Sequence, residues 1–251
     1  MEVKISAVII TFNEEKNIER CLVSLADIVD EIVVVDSFST DKTKDICESL
    51  GVKFITHKFE GHIQQKNWAI TQANNKIILS LDADEAISKG LKNSILEVKK
   101  DWKCDGYSFN RMTNYCGKWI KYGLWYPDVK LRLWDSTKGN WGGKNPHDTY
   151  ILKENTTQKH LKRDLLHYSY YTIEEHRLQA DKFAKIASIA YHEAGKKSSA
   201  FKIVFSPISR FISSYIMNRG FLDGKAGLTI AVISYKETKQ KYKLLKQLQN
   251  S

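Results

Sequence analysis

Asp82-Ala83-Asp84 closes an apolar run, IILSL, and is the sharpest chemical signal in the chain. Along extended backbone, residues i and i+2 point to the same side, so both carboxylates face one point beyond a strand end. Two hard oxygen ligands suit Mg2+ or Mn2+, which completes its shell with water and phosphate oxygens. The competing reading is an acidic loop capping a helix that opens near Ser88. Thr11-Phe12-Asn13-Glu14 and Asp36-Ser37 close two further apolar runs. Short polar side chains and helix N-terminal amides at such places can hold a nucleobase, a ribose and phosphate oxygens. N-caps and turn chemistry account for part of Asn13 and Ser39. Lys66, in Gln64-Gln65-Lys66-Asn67, either points a cation at a diphosphate or belongs to a solvated helix face. The glycine-rich turns of dinucleotide sites and P-loops are missing, which argues against both.

These groups need elements to position them. Val3–Thr11, Glu31–Asp36, Val52–Thr56 and Lys76–Leu81 are strand-like, and 17–26, 41–50, 63–73 and 88–99 between them carry helical periodicity. Strands that are apolar throughout, alternating with helices, predict a parallel sheet covered on both faces. Ligands of such sheets bind beyond the carboxyl ends of the strands, where the polar groups above fall. After residue 100 the pattern changes. Tyr107–Met112 and Val129–Trp134 read as strands, four of six Trp lie between 119 and 141, and Thr172-Ile173-Glu174-Glu175 is a capping box for a helix ending at Gly195.

The 251 residues carry 39 Lys+Arg against 29 Asp+Glu, a formal net charge of +10, and 42% hydrophobic residues, an ordinary globular composition. The excess is local: 196–251 holds 11 cations and two acids, whereas 1–195 is nearly neutral. A soft boundary near 195 therefore separates an α/β body, 1–195, from a basic amphipathic helical extension, 196–251. The extension suits an anionic membrane surface, with a protein partner or packing face as the rival. Nucleic acid is not expected, for no helix-turn-helix, RNA-recognition or zinc-finger signature is present. Four scattered Cys suggest reduced thiols. Met1-Glu2-Val3-Lys4 runs straight into strand-like sequence, so neither a signal peptide nor a membrane span is expected.

The runs AVIITFNEEKNIERCLVSL, EIVVVDSFSTDKTKDI, QQKNWAI and IILSLDADE resemble the family 2 glycosyltransferases, in order and at sensible spacing. NRMTNYCGKWIKYGLWYPDVKLRLW, NPHDTY, SYYTIEEH and RGFLDGKAGL resemble one subgroup, bacterial enzymes adding glucose-like sugars to the inner core of lipopolysaccharide. The resemblance implies a nucleotide-diphosphosugar transferase (GT-A) fold: α/β, with a mostly parallel central sheet flanked by helices and a C-terminal helical extension. It implies inverting transfer of a hexose from a nucleotide-sugar donor of the UDP-glucose type to a lipid-linked saccharide. A cytoplasmic enzyme, peripheral on the inner face of the bacterial membrane, would follow, with a homo-oligomer left open.

By the same resemblance Thr11 and Asp36 contact the uridine, with Asn13, Glu14 and Ser37 nearby and Lys66 at the ribose-diphosphate. Asp82 meets the donor ribose or sugar and shares the metal with Asp84. Ser37 and Phe38 stand where the family commonly has Asp and Gly. The subgroup usually shows His-Glu at His147-Asp148, making Asp148 the candidate general base, with Glu85 and Asp128 as runners-up. Trp119, Trp125, Tyr126 and Trp141 either stack on sugars or form an aromatic core, Trp125 being assigned to the donor. Arg132 either anchors an acceptor phosphate or pairs on a strand surface. A nucleotidyltransferase on a similar fold would carry a glycine-rich loop at 11–16, which is missing; a non-catalytic basic scaffold would not respond to UDP with Mn2+.

Overall fold

The computed structural model describes residues 2–144 and 147–250, without the side chains of Lys144 and His147. The chain forms two compact units, Met1–Arg111 with Asp128–His167, and Met112–Pro127 with Tyr168–Ser251.

In the first unit β1 (Ile5–Thr11), β2 (Glu31–Asp36), β3 (Lys53–Thr56) and β4 (Ile77–Asp82) are parallel, in the order β3-β2-β1-β4. The helices between them are α1 (Ile18–Ser24), α2 (Thr43–Ser49) and α3 (His62–Ile70). β1 is mostly apolar because both faces are covered. Ile5 and Ile9 join Leu22 and Leu25 on one side with Leu91 and Ile95 of α4 (Lys89–Lys100), while Val8 joins Ala69 of α3 on the other. Ser88 caps α4 through a bond from the Leu91 amide. The register pairs Thr11 with Asp36 and Ile10 with Asp82, setting the three polar residues at one edge.

Sequence patterning did not show β5 (Glu85–Ile87), which follows Asp84 at once. β6 (Gly106–Tyr115), β8 (Asp128–Asp135) and β11 (Gln158–Tyr170) continue the sheet as β4-β8-β6-β11-β5, with β8 antiparallel to β4 and β6, and β5 antiparallel to β11. His167 on β11 thereby pairs with Glu85. β9 (Gly139–Lys144) and β10 (His147–Leu152) form a separate hairpin, with Trp141 opposite Tyr150 and Asp148 opposite Gly143.

In the second unit β7 (Lys118–Trp119) pairs with the end of β6. α5 (Ile173–Glu193) opens on the expected capping box, Thr172 with Glu175, and Gly195 follows its end at φ +67°. α6 (Ala200–Phe211) runs into a π-helical turn, Ile212–Met217, and a 3-10 turn, Gly220–Asp223, leads into α7 (Gly224–Leu248). α5 and α6 both pack on α7. The RGFLDGKAGL motif is architectural here. A Cβ on Gly227 would sit 1.9 Å from the Gly220 carbonyl oxygen, and the buried Asp223 carboxylate accepts from the Lys121 and Tyr122 amides. No helix among the described residues is long and apolar enough to cross a membrane. The four cysteines are free, Cys21 and Cys47 buried.

His176 of α5 is buried, with Nδ1 3.0 Å from the Tyr115 hydroxyl. Burial pushes its pKa down from 6.5 to about 4. The unfolded chain therefore binds a proton that the folded chain refuses between those values. Stability from this site is complete above about pH 6.5 and is lost as pH falls toward about 4. His176→Phe should flatten that part of the urea midpoint's pH dependence; parallel curves for the two proteins would contradict it.

Candidate active site

The carboxyl end of β4 carries a compact ion network. Lys66, buried on α3, places Nζ 2.9 Å from Asp82 Oδ1 and 2.8 Å from Asp148 Oδ2. Its ammonium also lies 4.4 Å from the centre of the Trp141 ring. Arg132, on β8, reaches Asp82 Oδ2 at 2.5 Å and Glu85 Oε1 at 2.7 Å. Arg111 touches the same Glu85 oxygen at 3.3 Å and holds Asp128 Oδ2 at 2.8 Å, while Lys130 holds the other Asp128 oxygen at 3.0 Å. Burial alone would raise the Asp82 pKa. The Arg132 guanidinium and then the Lys66 ammonium outweigh it and hold the carboxyl well below its ordinary value.

A cavity of about 380 Å3 opens on this network, lined by Lys66, Asp82, Arg111, Lys130, Arg132, Trp141 and Asp148 among others. Four cations against two carboxylates on its wall suit an anionic ligand. Beside it, Asp84 Oδ2 lies 3.1 Å from His167 Nε2, both side chains partly exposed. No cluster of three or more His, Cys, Asp or Glu side chains able to hold a metal exists among the described residues.

The β1 and β2 ends form a second group. The Asp36 carboxylate accepts from the amide and hydroxyl of Ser39, and Asn13 receives from the Thr40 amide at 2.8 Å. The Asn13 amide donates to the Ser39 hydroxyl, also at 2.8 Å. Ser39, expected as part of an N-cap, thus ties the β1 and β2 loops together, and α2 starts only at Thr43. Ser37 Oγ accepts from Gln65 Nε2 at 3.2 Å. Thr11 Oγ1 is buried without a hydrogen-bond partner among the described residues. Burial pushes the Glu14 carboxyl up, and the charges of Asp84 and Asp82 add to the shift while a bond from Asn17 opposes it. Phe38 sits at φ +64° and 60% exposed, which accounts for glycine at that place in the resembling sequences. Holding a bulky residue there costs about 1–3 kcal/mol.

Residues 6–160 match the family model described as glycosyl transferase family 2. The chain is a family 2 glycosyltransferase. A glycosyltransferase of Rickettsia bellii is 31% identical over 251 residues, spanning 92% of this chain and 82% of that protein. The lipopolysaccharide core biosynthesis glycosyltransferase LpsC of Rhizobium meliloti is 26% identical, spanning 96% and 93%. Among solved structures, S. aureus TarS 1-349 in complex with UDP aligns over 98% of this chain and 91% of that one, with 16% identity and a TM-score of 0.45.

In this glycosyltransferase, Lys66, Asp82 and Asp148 converge on one cavity, whereas Thr11, Asn13, Asp36 and Ser37 form the loop-tying group at the β1 and β2 ends. Trp125 belongs to the second unit, stacked on Tyr170 and in edge contact with Tyr115 and His176. Trp119 likewise packs on Tyr168, and Trp141 lines the cavity of the first unit. Arg132 pairs with Asp82 and Glu85 within the sheet and also lines the cavity. Asn145 and Pro146 of the NPHDTY motif lie outside the described residues, as does the His147 side chain. His167 went unnoticed in sequence, being a lone histidine far from the acidic motif.

Proposed function

We propose that this glycosyltransferase moves a hexose from a UDP-sugar of the UDP-glucose type to a lipid-linked saccharide, a lipopolysaccharide core heptose, with inversion at the anomeric carbon. The carrying observation is Lys66 bridging Asp82 and Asp148 inside a cation-rich cavity at the end of β4. The relationship to LpsC supports the acceptor class.

Thr11 Oγ1, buried and unsatisfied, reads the uracil edge, and the exposed rings of Phe12 and Phe38 offer flat faces beside it. An orphaned buried hydroxyl costs about 1–3 kcal/mol, which a ligand acceptor or donor would recover. Asp36, Asn13 and Ser37 hold that loop in shape, with Glu14 next to it. Lys66 and Arg132 attract the diphosphate, and Asp82, oriented by both, receives the donor ribose or sugar. Trp125 is not placed at the donor in this reading. Asp84 and His167, a carboxylate and an imidazole that face each other and are partly open, would hold a divalent ion, with the remaining positions left to oxygen ligands from outside the chain. Asp82 is already engaged by two cations, so Asp84 rather than Asp82 is the chief metal ligand. Mg2+ or Mn2+ bound there would supply charge neutralisation for the leaving diphosphate.

Asp148 takes the proton of the acceptor hydroxyl while that oxygen bonds to the anomeric carbon. The bond from that carbon to the diphosphate oxygen breaks on the opposite side, its electron pair leaving with UDP. Attack opposite the leaving group inverts the configuration. The enzyme would work on the cytoplasmic side of a bacterial membrane, with 196–251 meeting an anionic lipid surface.

Melting curves taken with UDP, GDP, ADP and CMP, each with and without Mn2+, test the donor. UDP with Mn2+ should stabilise most, by about 2.7 kcal/mol at a hundredfold excess over Kd. Asp84→Ala should lose the Mn2+-dependent part only. Equal shifts for all four nucleotides, or an undiminished Mn2+ effect in the variant, would contradict the assignment.

A further inference from the structure

The helices of the second unit leave large apolar side chains outside. Phe201, Val204, Phe205, Ile208, Ile212 and Ile216 recur at spacings of three and four along α6 and the π turn, and all are exposed, Phe201 by 67%. At 100° per residue they make one stripe. The side that packs is the other one, where Pro207 and Ser214 are buried. α7 continues the surface with Lys225, Leu228, Val232 and Lys236, also one stripe and all exposed. An apolar groove of about 280 Å3, lined by Ile208, Phe211, Val232 and Tyr235, joins the two.

Charge selects the occupant. Between 196 and 236 the sequence has seven cations and one acid, Asp223. Asp223 is buried and bonded to the Lys121 and Tyr122 amides, so every exposed formal charge on this stretch is positive. A second copy of the chain would set the same cations against each other, since a two-fold contact is self-complementary. An anionic bilayer offers both halves of what the surface lacks: acyl chains for the stripe and phosphates for the lysines. A span is excluded for these helices, none being long and apolar enough, so α6 would lie in the plane of the membrane.

We infer that the α6 stripe, extended by the groove and the Leu228–Val232 face of α7, inserts into the headgroup–acyl boundary of an anionic membrane, with Lys202, Lys225 and Lys236 against lipid phosphates. The inference rests on the membrane reading under the proposed function, and the two can fail separately. Full-length protein is sedimented with vesicles of phosphatidylcholine alone and of phosphatidylcholine mixed with phosphatidylglycerol. Binding should require the anionic lipid. Phe201→Ser with Phe205→Ser should weaken it at least about tenfold, and Lys202→Glu with Lys225→Glu should remove the preference for phosphatidylglycerol. Both variants should keep their helical circular dichroism and their melting shift with UDP and Mn2+. No sedimentation with anionic vesicles, or unchanged binding by the phenylalanine variant, overturns the inference, as does a dimer in gel filtration that the phenylalanine variant abolishes. Loss of the UDP shift in the parent protein would instead sink the donor assignment.

Discussion

Asp148→Asn is expected to lower sugar transfer by about 10²-fold or more while UDP with Mn2+ still raises the melting temperature. Asparagine keeps the size and the hydrogen-bonding shape of the side chain but cannot take a proton at neutral pH. Lys66 retains Asp82 as an ion partner in the variant, so the cation proposed to face the diphosphate stays in place. The effect should therefore appear in kcat and leave the donor KM near its starting value. Geometry weakens the other two carboxylates as bases. Glu85 is fully buried and held by Arg132 and Arg111, and Asp128 is held by Arg111 and Lys130. Asp148→Glu should retain much of the activity, because His-Glu is the pair usual in the resembling subgroup. If Asp148→Asn instead loses donor binding, the residue serves only to anchor Lys66, and if transfer is unchanged it is not the base.

The parallel part of the fold was readable because it is buried on both faces. β1, β2 and β4 have no solvent side to alternate with, so their sequences are mostly apolar, and polar residues gather at their carboxyl ends. The capping box at Thr172 and the stop at Gly195 were equally local and equally legible. β5 is three residues long and lies under the DADE motif, where the acids dominate any reading of pattern. Partnerships across long stretches of chain were harder. Lys66 with Asp148 and Asp84 with His167 join residues 82 and 83 positions apart, and nothing in the spacing of either pair announces it. Resemblance supplied Lys66, Asp84 and Asp148 singly; the sheet register and the β9–β10 hairpin bring them to their partners.

Aromatic residues stayed ambiguous in the sequence for a physical reason. A flat ring with a polar edge serves sugar stacking and core packing equally well, and sequence carries no mark of which is used. Trp125 has Tyr170, Tyr115 and His176 as neighbours, while Trp141 meets the Lys66 ammonium on the cavity wall. The basic stretch was legible as cations interleaved with large apolar residues, without the face they take. Which face of α6 stays open depends on how it packs on α7.

Arg132→Leu is expected to destabilise the protein by about 3–5 kcal/mol, the range for breaking a buried ion pair by removing one partner. Arg132 is nearly buried and serves two carboxylates, and Glu85 has no exposure at all. Leucine would leave Glu85 with Arg111, 3.3 Å away, and the Asp82 amide, and would leave Asp82 with Lys66 as its ion-pair partner among the described residues. Adding Glu85→Gln should recover a large share of the loss, because the uncompensated charge rather than the missing contacts carries the cost. The acid limb should change as well. Asp82 titrates well below its ordinary value of 3.8 in the folded protein, with Arg132 as the strongest opponent of burial. Its contribution to stability is therefore present above about pH 3.8 and is lost as pH falls through the lower folded value. Without Arg132 the depression shrinks, so the variant should start from a lower plateau and lose less on acidification. Urea midpoints from neutral pH downward give both results. A neutral-pH loss below about 1 kcal/mol would mean that Arg111 and Lys66 suffice to satisfy the two acids, and Arg132 would then be held in the sheet for the anion it faces across the cavity.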